Sequence, residues 1–222
     1  LKHVCREKEK ELRYHNQKAI CITYTNVAAN EIKNRLGNTE LILVSTIHER
    51  LWEIIKEYQE ELVMIHLEYL KEQIAKLQCE IEENVVYSGL TEEQKVEISN
   101  LLVEKQKEFF EIYNLGATEF RNQFSITFPT FNAKIGNVKE FCKTCSKIIR
   151  VGKYKQCIYA IENAEKGYTE VKYDARSNKD YLHYMKISHD TLLAYSKRII
   201  CKYDELKRFI ADKYPYFFVD EY

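Results

Sequence analysis

The chain has 222 residues, of which 45% are apolar and 31% charged, and its 34 basic side chains are balanced by 34 acidic ones. This composition is typical of a globular protein and excludes an intrinsically disordered one. The sequence has no run of about 18 apolar residues and no export signal, which predicts a soluble, cytoplasmic protein with no membrane partner. Only two prolines and six glycines occur, which favours long helices over many short strands.

Two strand–helix units are predicted near the start of the chain. Residues 19–24 form a short, nearly continuous apolar run, which is typical of a strand buried on both faces of a parallel sheet. Thr25 or Asn26 can cap a following helix, and Gly37 stands where an αL residue ends a helix. Residues 41–44 repeat the strand pattern and are again followed by cap residues. These two units predict an α/β sheet.

The middle of the chain has helical periodicity instead. From Leu51 to about Glu83 the apolar residues recur every three or four positions, which predicts one long amphipathic helix. Thr91 and Gln94 resemble a capping box that opens a second helix ending at Gly116. We therefore predict a long antiparallel helical hairpin over residues 51–115, inserted into the α/β domain.

The remaining elements are less regular. Apolar spacing and turn residues predict, in order, helices near residues 138–150 and 154–166, a small β-ribbon within 167–187, a helix after Ser188, and a strand over residues 216–219.

Two adjacent acids, Asp220 and Glu221, directly follow the last predicted strand. Ligands of open α/β sheets bind at the carboxyl ends of the strands. An acidic pair there suits a Mg²⁺–nucleotide site, in which one carboxylate holds the metal through water and its neighbour activates an attacking water. On its own, such a pair is more often a solvated strand end.

Three short segments carry the most specific patterns: residues 23–32 read T-Y-T-N-V-A-A-N-E-I, residues 44–48 read V-S-T-I-H, and residues 218–222 read F-V-D-E-Y. They resemble motifs Ia, Ib and II of the UvrD/Rep/PcrA superfamily 1A DNA helicases. Those helicases insert a mostly helical domain, 1B, between motifs Ib and II. Residues 188–193 resemble the segment that returns from it.

The resemblance implies a partial RecA-like parallel sheet of the P-loop NTPase type. Residues 1–50 and 188–222 would belong to RecA-like domain 1A, and residues 51–187 would form the 1B insertion. Within the insertion, residues 116–187 would supply basic helices and the β-ribbon.

The resemblance also implies roles for individual residues. Tyr24 would stack on a base of single-stranded DNA, Asp220 would coordinate Mg²⁺, and Glu221 would activate the hydrolytic water. The implied DNA contacts are Thr23, Tyr24, Thr25, Asn26, Thr46 and His48. Local roles remain open for these residues: Thr25 or Asn26 as a helix cap, Tyr24 as a core aromatic, and His48 as a locally hydrogen-bonded residue.

The sequence also departs from the helicase pattern. None of its six glycines can form a G-x-x-x-x-G-K-T phosphate loop. Motifs III to VI are missing, and Glu49 and Arg50 replace the small and aromatic residues that often follow the motif Ib histidine. Since the sequence begins at Leu1 rather than Met and stops after Tyr222, we interpret it as a fragment. ATP and Mg²⁺ would serve the intact protein, and no bound cofactor is expected for the fragment.

A basic block predicts a second contact with nucleic acid. Lys139, Lys143 and Lys147 recur every four positions on one helical face, which suits DNA phosphates, although a solvated helix face is equally typical. Residues 51–115, by contrast, carry 15 acidic and six basic side chains. Because phosphates repel carboxylates, we expect the hairpin to face away from DNA.

Seven cysteines are scattered through a chain without an export signal, so we expect reduced thiols and no disulfide. Cys142 and Cys145 form a Cys-x-x-Cys pair, with Cys157 nearby. A zinc site needs four ligands, and the other candidates stand at no recognised spacing. We therefore predict no zinc.

The leading hypothesis is a fragment of an ATP-dependent DNA helicase or translocase, with 3′ to 5′ polarity by resemblance, acting on single strands and duplex junctions. The alternative is a non-catalytic module in which the 51–115 hairpin binds a protein partner. A third possibility is a nucleotide-binding regulatory protein. An exposed apolar seam on the hairpin would favour the module, and a buried seam would favour the insertion.

Overall fold

A computed structural model of the chain describes residues 2–37, 40–127, 129 and 138–220. Its strands are β1 (Ala19–Thr23), β2 (Ile42–Thr46), β3 (Lys172–Tyr173), β4 (Lys186–Ile187) and β5 (Tyr216–Val219). Its helices are α1 (Lys2–Glu7), α2 (Glu9–Tyr14), α3 (Asn26–Leu36), α4 (Ile47–Ile55), α5 (Gln59–Glu82), α6 (Val85–Ser88), α7 (Glu92–Glu104), α8 (Gln106–Tyr113), α9 (Ala117–Thr127), α10 (Val138–Glu162), α11 (His189–Lys202) and α12 (Asp204–Lys213), with a 3-10 helix at Leu182–Tyr184.

The chain divides into two compact units. The first, the sheet unit, contains residues 1–66, 169–181 and 185–222. The second, the helical unit, contains residues 67–168 and 182–184.

The sheet unit is built on three parallel strands in the order β2-β1-β5. In their register Thr23 lies beside Thr46, and Ile22 lies beside Val219. All five residues of β1 are buried, as a central strand covered on both faces requires. The predicted α/β class with a small parallel sheet is therefore confirmed.

Successive residues of β1 pack on opposite faces of the sheet, because side chains alternate along a strand. Ala19 and Cys21 belong to a core cluster that includes Ala29 of α3. Ile20 and Ile22 belong to a separate cluster with Tyr214, which directly follows α12. The two apolar layers hold the strand ends in a fixed register.

Helix α3 begins and ends close to the predicted positions. The Thr25 hydroxyl accepts a hydrogen bond from the Ala28 amide at 3.2 Å, so Thr25 is the cap. Gly37 follows the helix with φ of +74° and ψ of −175°. Its φ lies in the region that favours glycine, but the ψ differs from that of the predicted αL residue.

The predicted helix from Leu51 to Glu83 is interrupted, because α4 ends at Ile55 and α5 begins at Gln59. The Gln59 side chain explains the break. Its amide nitrogen donates to the Lys56 carbonyl at 2.8 Å, and its oxygen accepts from the Val171 amide at 3.0 Å. These contacts, one to the nearby Lys56 and one to the distant Val171, replace one helical turn. Apolar spacing alone does not reveal them.

In the helical unit, α10 packs against α7, α9 and α6. The apolar seam predicted for the hairpin's second arm is buried: Ile98, Leu102 and Phe109 are fully inaccessible to solvent. That arm is divided at Lys105, where the backbone leaves helical geometry and the ammonium group donates to the Thr127 carbonyl at 3.3 Å.

Two further predictions need correction. Residues 138–162 form one helix instead of two. Gly152, near the predicted break, lies where a Cβ atom would come 3.2 Å from Val103 of α7, so this glycine serves close helix packing rather than a turn. Strands β3 and β4 pair in parallel, so they are not the two arms of a simple ribbon.

Within the described ranges, no helix is long and apolar enough to cross a bilayer.

Candidate nucleic-acid interface

The three segments with the most specific patterns meet at one edge of the sheet. The parallel register brings the end of β1 beside the end of β2, with Thr23 next to Thr46. The Asp220 amide donates to the Ile22 carbonyl at 2.9 Å, which fixes the end of β5 against β1. The carboxyl edge of this sheet therefore presents all three segments together, where ligands of open α/β sheets bind.

The turn between β1 and α3 exposes an aromatic ring. The buried Thr23 hydroxyl donates to the Thr25 carbonyl at 2.9 Å, and Thr25 caps α3. Tyr24 lies between them with 72% of its surface exposed. Asn26, the first residue of α3, is also exposed. Thr23 and Thr25 thus hold the turn, whereas Tyr24 and Asn26 face solvent.

The turn between β2 and α4 is held by a capping box. The Thr46 hydroxyl accepts from the Glu49 amide at 3.2 Å, and the Glu49 carboxylate accepts from the Thr46 amide at 3.1 Å. Thr46 is buried, and its hydroxyl oxygen accepts the cap bond. The departure at Glu49 from the helicase pattern therefore has a local structural role.

A cluster of rings lies beside this turn. His48 lies with its ring centre 6.0 Å from that of Tyr24 and 4.3 Å from that of His189. The Tyr173 hydroxyl lies 2.6 Å from Nδ1 of His189, and the ring of Trp52 lies 5.7 Å from that of Tyr173. We call these five residues the ring cluster.

The electrostatics of the ring cluster favour the neutral form of His48. Burial lowers the pKa of His48, the neighbouring His189 lowers it further, and Asp190 acts in the opposite direction. Burial, with smaller contributions from Glu49 and Asp174, raises the pKa of Tyr173. His48 is itself buried, and Trp52, Tyr173 and His189 are partly buried. The exposed Tyr24 is therefore the ring of this cluster that suits the face of a nucleobase.

Asp220 borders a cleft of about 360 Å³, lined by Cys21, Ile32, Arg35, Leu36, Phe218, Val219 and Asp220. Its carboxylate is the oxygen donor that Mg²⁺ prefers, so this side chain fits the implied metal role. Glu221 lies outside the described residues. Within the described part of the chain, no group of three or more His, Cys, Asp or Glu side chains is arranged to hold a metal ion.

The basic face of α10 belongs to the helical unit. The Lys147 ammonium lies 2.9 Å from the Glu80 carboxylate and lowers the pKa of that group. Lys143 is exposed and lines a polar cleft of about 530 Å³ that also contains Glu80, Glu83 and Glu140. The side chain of Lys139 lies outside the described residues.

Comparison with known proteins supplies the family. Residues 5–222 match the model of the UvrD/REP helicase N-terminal domain. The chain belongs to this family. The UvrD/REP domain is also 44% identical over 225 residues to Gabija protein GajB of Bacillus cereus (strain HuB5-5). That alignment covers all of this chain and 33% of GajB, so the chain spans about a third of its relative's length. No solved structure matches the chain.

Sequence reasoning missed three members of the ring cluster in the UvrD/REP domain: Trp52, Tyr173 and His189. Helix α11 packs against α4, which brings His189 to His48 across 141 residues of sequence. The position of His189 in the returning segment, residues 188–193, was the one available signal for it. Tyr173 lies in the irregular β3 region, where no periodic pattern marks a site.

An acid that the sequence did not single out anchors His189. The Asp180 carboxylate accepts from the Ser188 amide and from the Thr191 hydroxyl, each at 2.7 Å. Ser188 occupies the predicted cap position of α11 but makes no side-chain cap bond. Asp180 instead holds the start of this helix through the Ser188 amide and the Thr191 side chain.

The cysteines of the UvrD/REP domain that the structure describes are free thiols. Cys142, Cys145 and Cys157 are buried. Burial raises the pKa of Cys142 to about 12 and that of Cys157 to about 11, and it also raises the pKa of Cys145. These side chains behave as small core residues.

Proposed function

We propose that this chain is part of an ATP-dependent 3′ to 5′ DNA helicase or translocase of the cytoplasm. Family membership supports the helicase class. Residues 1–50 and 188–222 would belong to RecA-like domain 1A, and residues 51–187 to the 1B insertion. The chain contains no phosphate loop, so it would hydrolyse ATP only as part of a longer protein.

Single-stranded DNA would lie across the carboxyl edge of the sheet. The observation that carries this proposal is the exposed ring of Tyr24, next to His48 at that edge. An unpaired base stacks on an exposed aromatic ring with about 1–3 kcal/mol and little sequence preference. Thr25, Asn26 and the nearby Thr23 and Thr46 would shape the path of the backbone.

The Mg²⁺–ATP site would include Asp220. Its carboxylate would hold the metal through an oxygen donor at the strand end, and Mg²⁺ there would supply charge stabilisation for the transferred phosphoryl group. Glu221 would orient the attacking water.

Duplex DNA would meet the basic face of α10, through Lys139, Lys143 and Lys147. The ion pair of Lys147 with Glu80 is partly exposed, with 31% and 36% of the side-chain surfaces accessible. Such pairs contribute about 0–1 kcal/mol. Lys147 can therefore exchange Glu80 for a phosphate at little cost.

The alternative of a protein-binding hairpin has less support. Its apolar seam is occupied within the helical unit, because Ile98, Leu102 and Phe109 are fully buried and α7 packs against α10.

The decisive experiment uses the full-length protein and a fluorescent single-stranded oligonucleotide. Tyr24→Ala should raise the Kd about 5- to 150-fold, since it removes one stacked base. Tyr24→Phe should retain binding. Tyr14→Ala is a matched control, because Tyr14 is 85% exposed on α2. Equal affinities for Tyr24→Ala and Tyr14→Ala would contradict the proposed site.

A further inference from the structure

The helical unit carries a group of rings around a lysine that the proposed site does not use. Phe110 of α8 is 42% exposed, and the Lys153 ammonium of α10 lies 5.7 Å from its ring centre. His183 and Tyr184 of the 3-10 helix have ring centres 4.1 Å apart. Tyr184 is 61% exposed. We call these four residues the lysine patch.

The lysine patch takes its residues from three elements. The Lys153 ammonium lies over the Phe110 ring. Burial lowers the pKa of His183, and the charge of Lys153 lowers it further. The lowered pKa favours the neutral form of His183. The patch thus combines one cation with three rings, two of which are more than a third exposed.

Its geometry is fixed by the protein core. The 3-10 helix packs against α10, and the Cys157 thiol donates to the Leu182 carbonyl at 3.7 Å. Cys157 and Leu182 are 1% and 4% exposed. Because these anchors are buried, His183 and Tyr184 are held in place before any ligand binds.

We propose that the lysine patch is a second binding site for single-stranded nucleic acid. Exposed rings stack on unpaired bases, and a lysine among them pairs with the adjoining phosphate. A duplex hides its base faces, so the rings select a single strand. The proposal rests on the proposed DNA function and adds a strand contact on the helical unit.

Charge favours nucleic acid over a protein partner as the occupant. Phe110 lies within the acidic segment 51–115, and its helix α8 has one basic and two acidic residues. Helix α10, which carries Lys153, has six basic and two acidic residues, so the two helices together have a net charge of +3. A polyanion is complementary to such a helix and releases counterions when it binds. The rings alone would suit an apolar peptide equally well, so the charge decides.

Cross-linking of the wild-type, full-length protein tests the site without any substitution. Single-stranded oligonucleotides that contain 5-iododeoxyuridine should cross-link to Tyr184 or Phe110 upon irradiation, as located by mass spectrometry. Cross-links at Tyr24 without any at Tyr184 or Phe110 would overturn the second site alone. The absence of cross-links at all three would overturn the proposed DNA function as well.

Variants measure the contribution of the patch. Tyr184→Ala should raise the Kd for a long single strand about 5- to 150-fold, and Tyr184→Phe should retain binding. Lys153→Gln should reduce the dependence of log K on log salt by about 0.7, the value for one phosphate of a single strand. Tyr159→Ala is the matched control, because Tyr159 is 64% exposed on α10 outside the patch.

Two results would overturn the second site. One is wild-type affinity and salt dependence in both Tyr184→Ala and Lys153→Gln while Tyr24→Ala still weakens binding. The other is an equal loss in Tyr184→Ala and Tyr159→Ala, which would indicate a general effect of exposed rings.

Discussion

The imidazole rings of His48 and His189 lie with their centres 4.3 Å apart and their planes at 45°. His48 lies in the first turn of α4, and His189 is the first residue of α11. Their contact joins the two parts of the sheet unit that flank the long central segment of the chain. His48 also lies beside the exposed Tyr24, with ring centres 6.0 Å apart.

The burial of His48, together with this contact, makes stability depend on pH. Burial and His189 lower the pKa of His48, so the unfolded chain binds the proton more readily than the folded one. The contribution of neutral His48 to the free energy of unfolding is therefore complete above the unfolded pKa of about 6.5. It is lost as pH falls from about 6.5 towards the folded pKa.

Chemical denaturation between pH 5 and 7.5 measures this effect. We expect His48→Gln to lose less stability at acid pH than the wild type. The slope of the free energy of unfolding against pH should change by at most the value for about one proton. Tyr24→Phe changes the neighbouring ring without removing an imidazole and should leave the slope unchanged. An unaltered slope in His48→Gln would show that the acid sensitivity originates elsewhere.

Thr46→Ala tests the capping box of α4. Loss of the hydroxyl removes the bond to the Glu49 amide and should lower the free energy of unfolding by about 1 kcal/mol. Thr46→Ser should restore it. Thr91→Ala is a matched comparison, because Thr91 forms the same box with Gln94 at the start of α7. Urea denaturation measures the stability of both alanine variants. Wild-type stability in Thr46→Ala would exclude a structural role for the Thr46 cap.

Asp180→Ala tests the anchor of α11. The change removes charge-assisted bonds to the Ser188 amide and the Thr191 hydroxyl, and we expect a loss of about 1–3 kcal/mol in urea denaturation. Single-strand affinity should fall as well, since His189 begins this helix. Asn178→Ala, an exposed change two residues away, should stay within about 0.5 kcal/mol of wild type. Equal effects of the two substitutions would contradict the anchor.

Neutralising Lys139, Lys143 and Lys147 with glutamine tests the basic face. If all three meet duplex phosphates, the slope of log K against log salt should fall by about 2.7, at 0.9 per contact. Lys166→Gln, an exposed change beyond the end of α10, should leave the slope unchanged. A wild-type slope in the triple variant would exclude these contacts.

Thiol labelling tests the buried cysteines. Cys79 and Cys201 are exposed and should react with iodoacetamide within minutes at pH 8. Cys142 has a pKa raised by burial to about 12, so only about one part in 10,000 is thiolate at pH 8. Mass spectrometry should find Cys142, Cys145 and Cys157 unmodified until denaturant is added. Rapid labelling of Cys145 in the native protein would contradict its burial.

The sheet could be predicted from the sequence because its strands are short apolar runs. Residues 19–23 and 42–46 are buried on both faces, which leaves no polar alternation and marks them locally. The caps Thr25 and Thr46 lie among the cap residues expected after each of these strands, since a hydroxyl before a helix acts within three residues.

The break at Gln59 could not be predicted in this way. It depends on hydrogen bonds with Val171, 112 residues away, and the apolar spacing continues through it without interruption. The parallel pairing of β3 with β4 likewise depends on contacts across an irregular segment.

The sequence by itself determined the strands, the caps and the motifs that point to the helicase family, because each of these is a local pattern. Tertiary structure alone decided that Tyr24, His48, His189 and Tyr173 form one cluster. Their side chains come from four separate elements, and only the packing of α11 against α4 and the register of the parallel strands bring them together. Distances of a few ångströms between residues far apart in sequence leave no periodic signal in the chain.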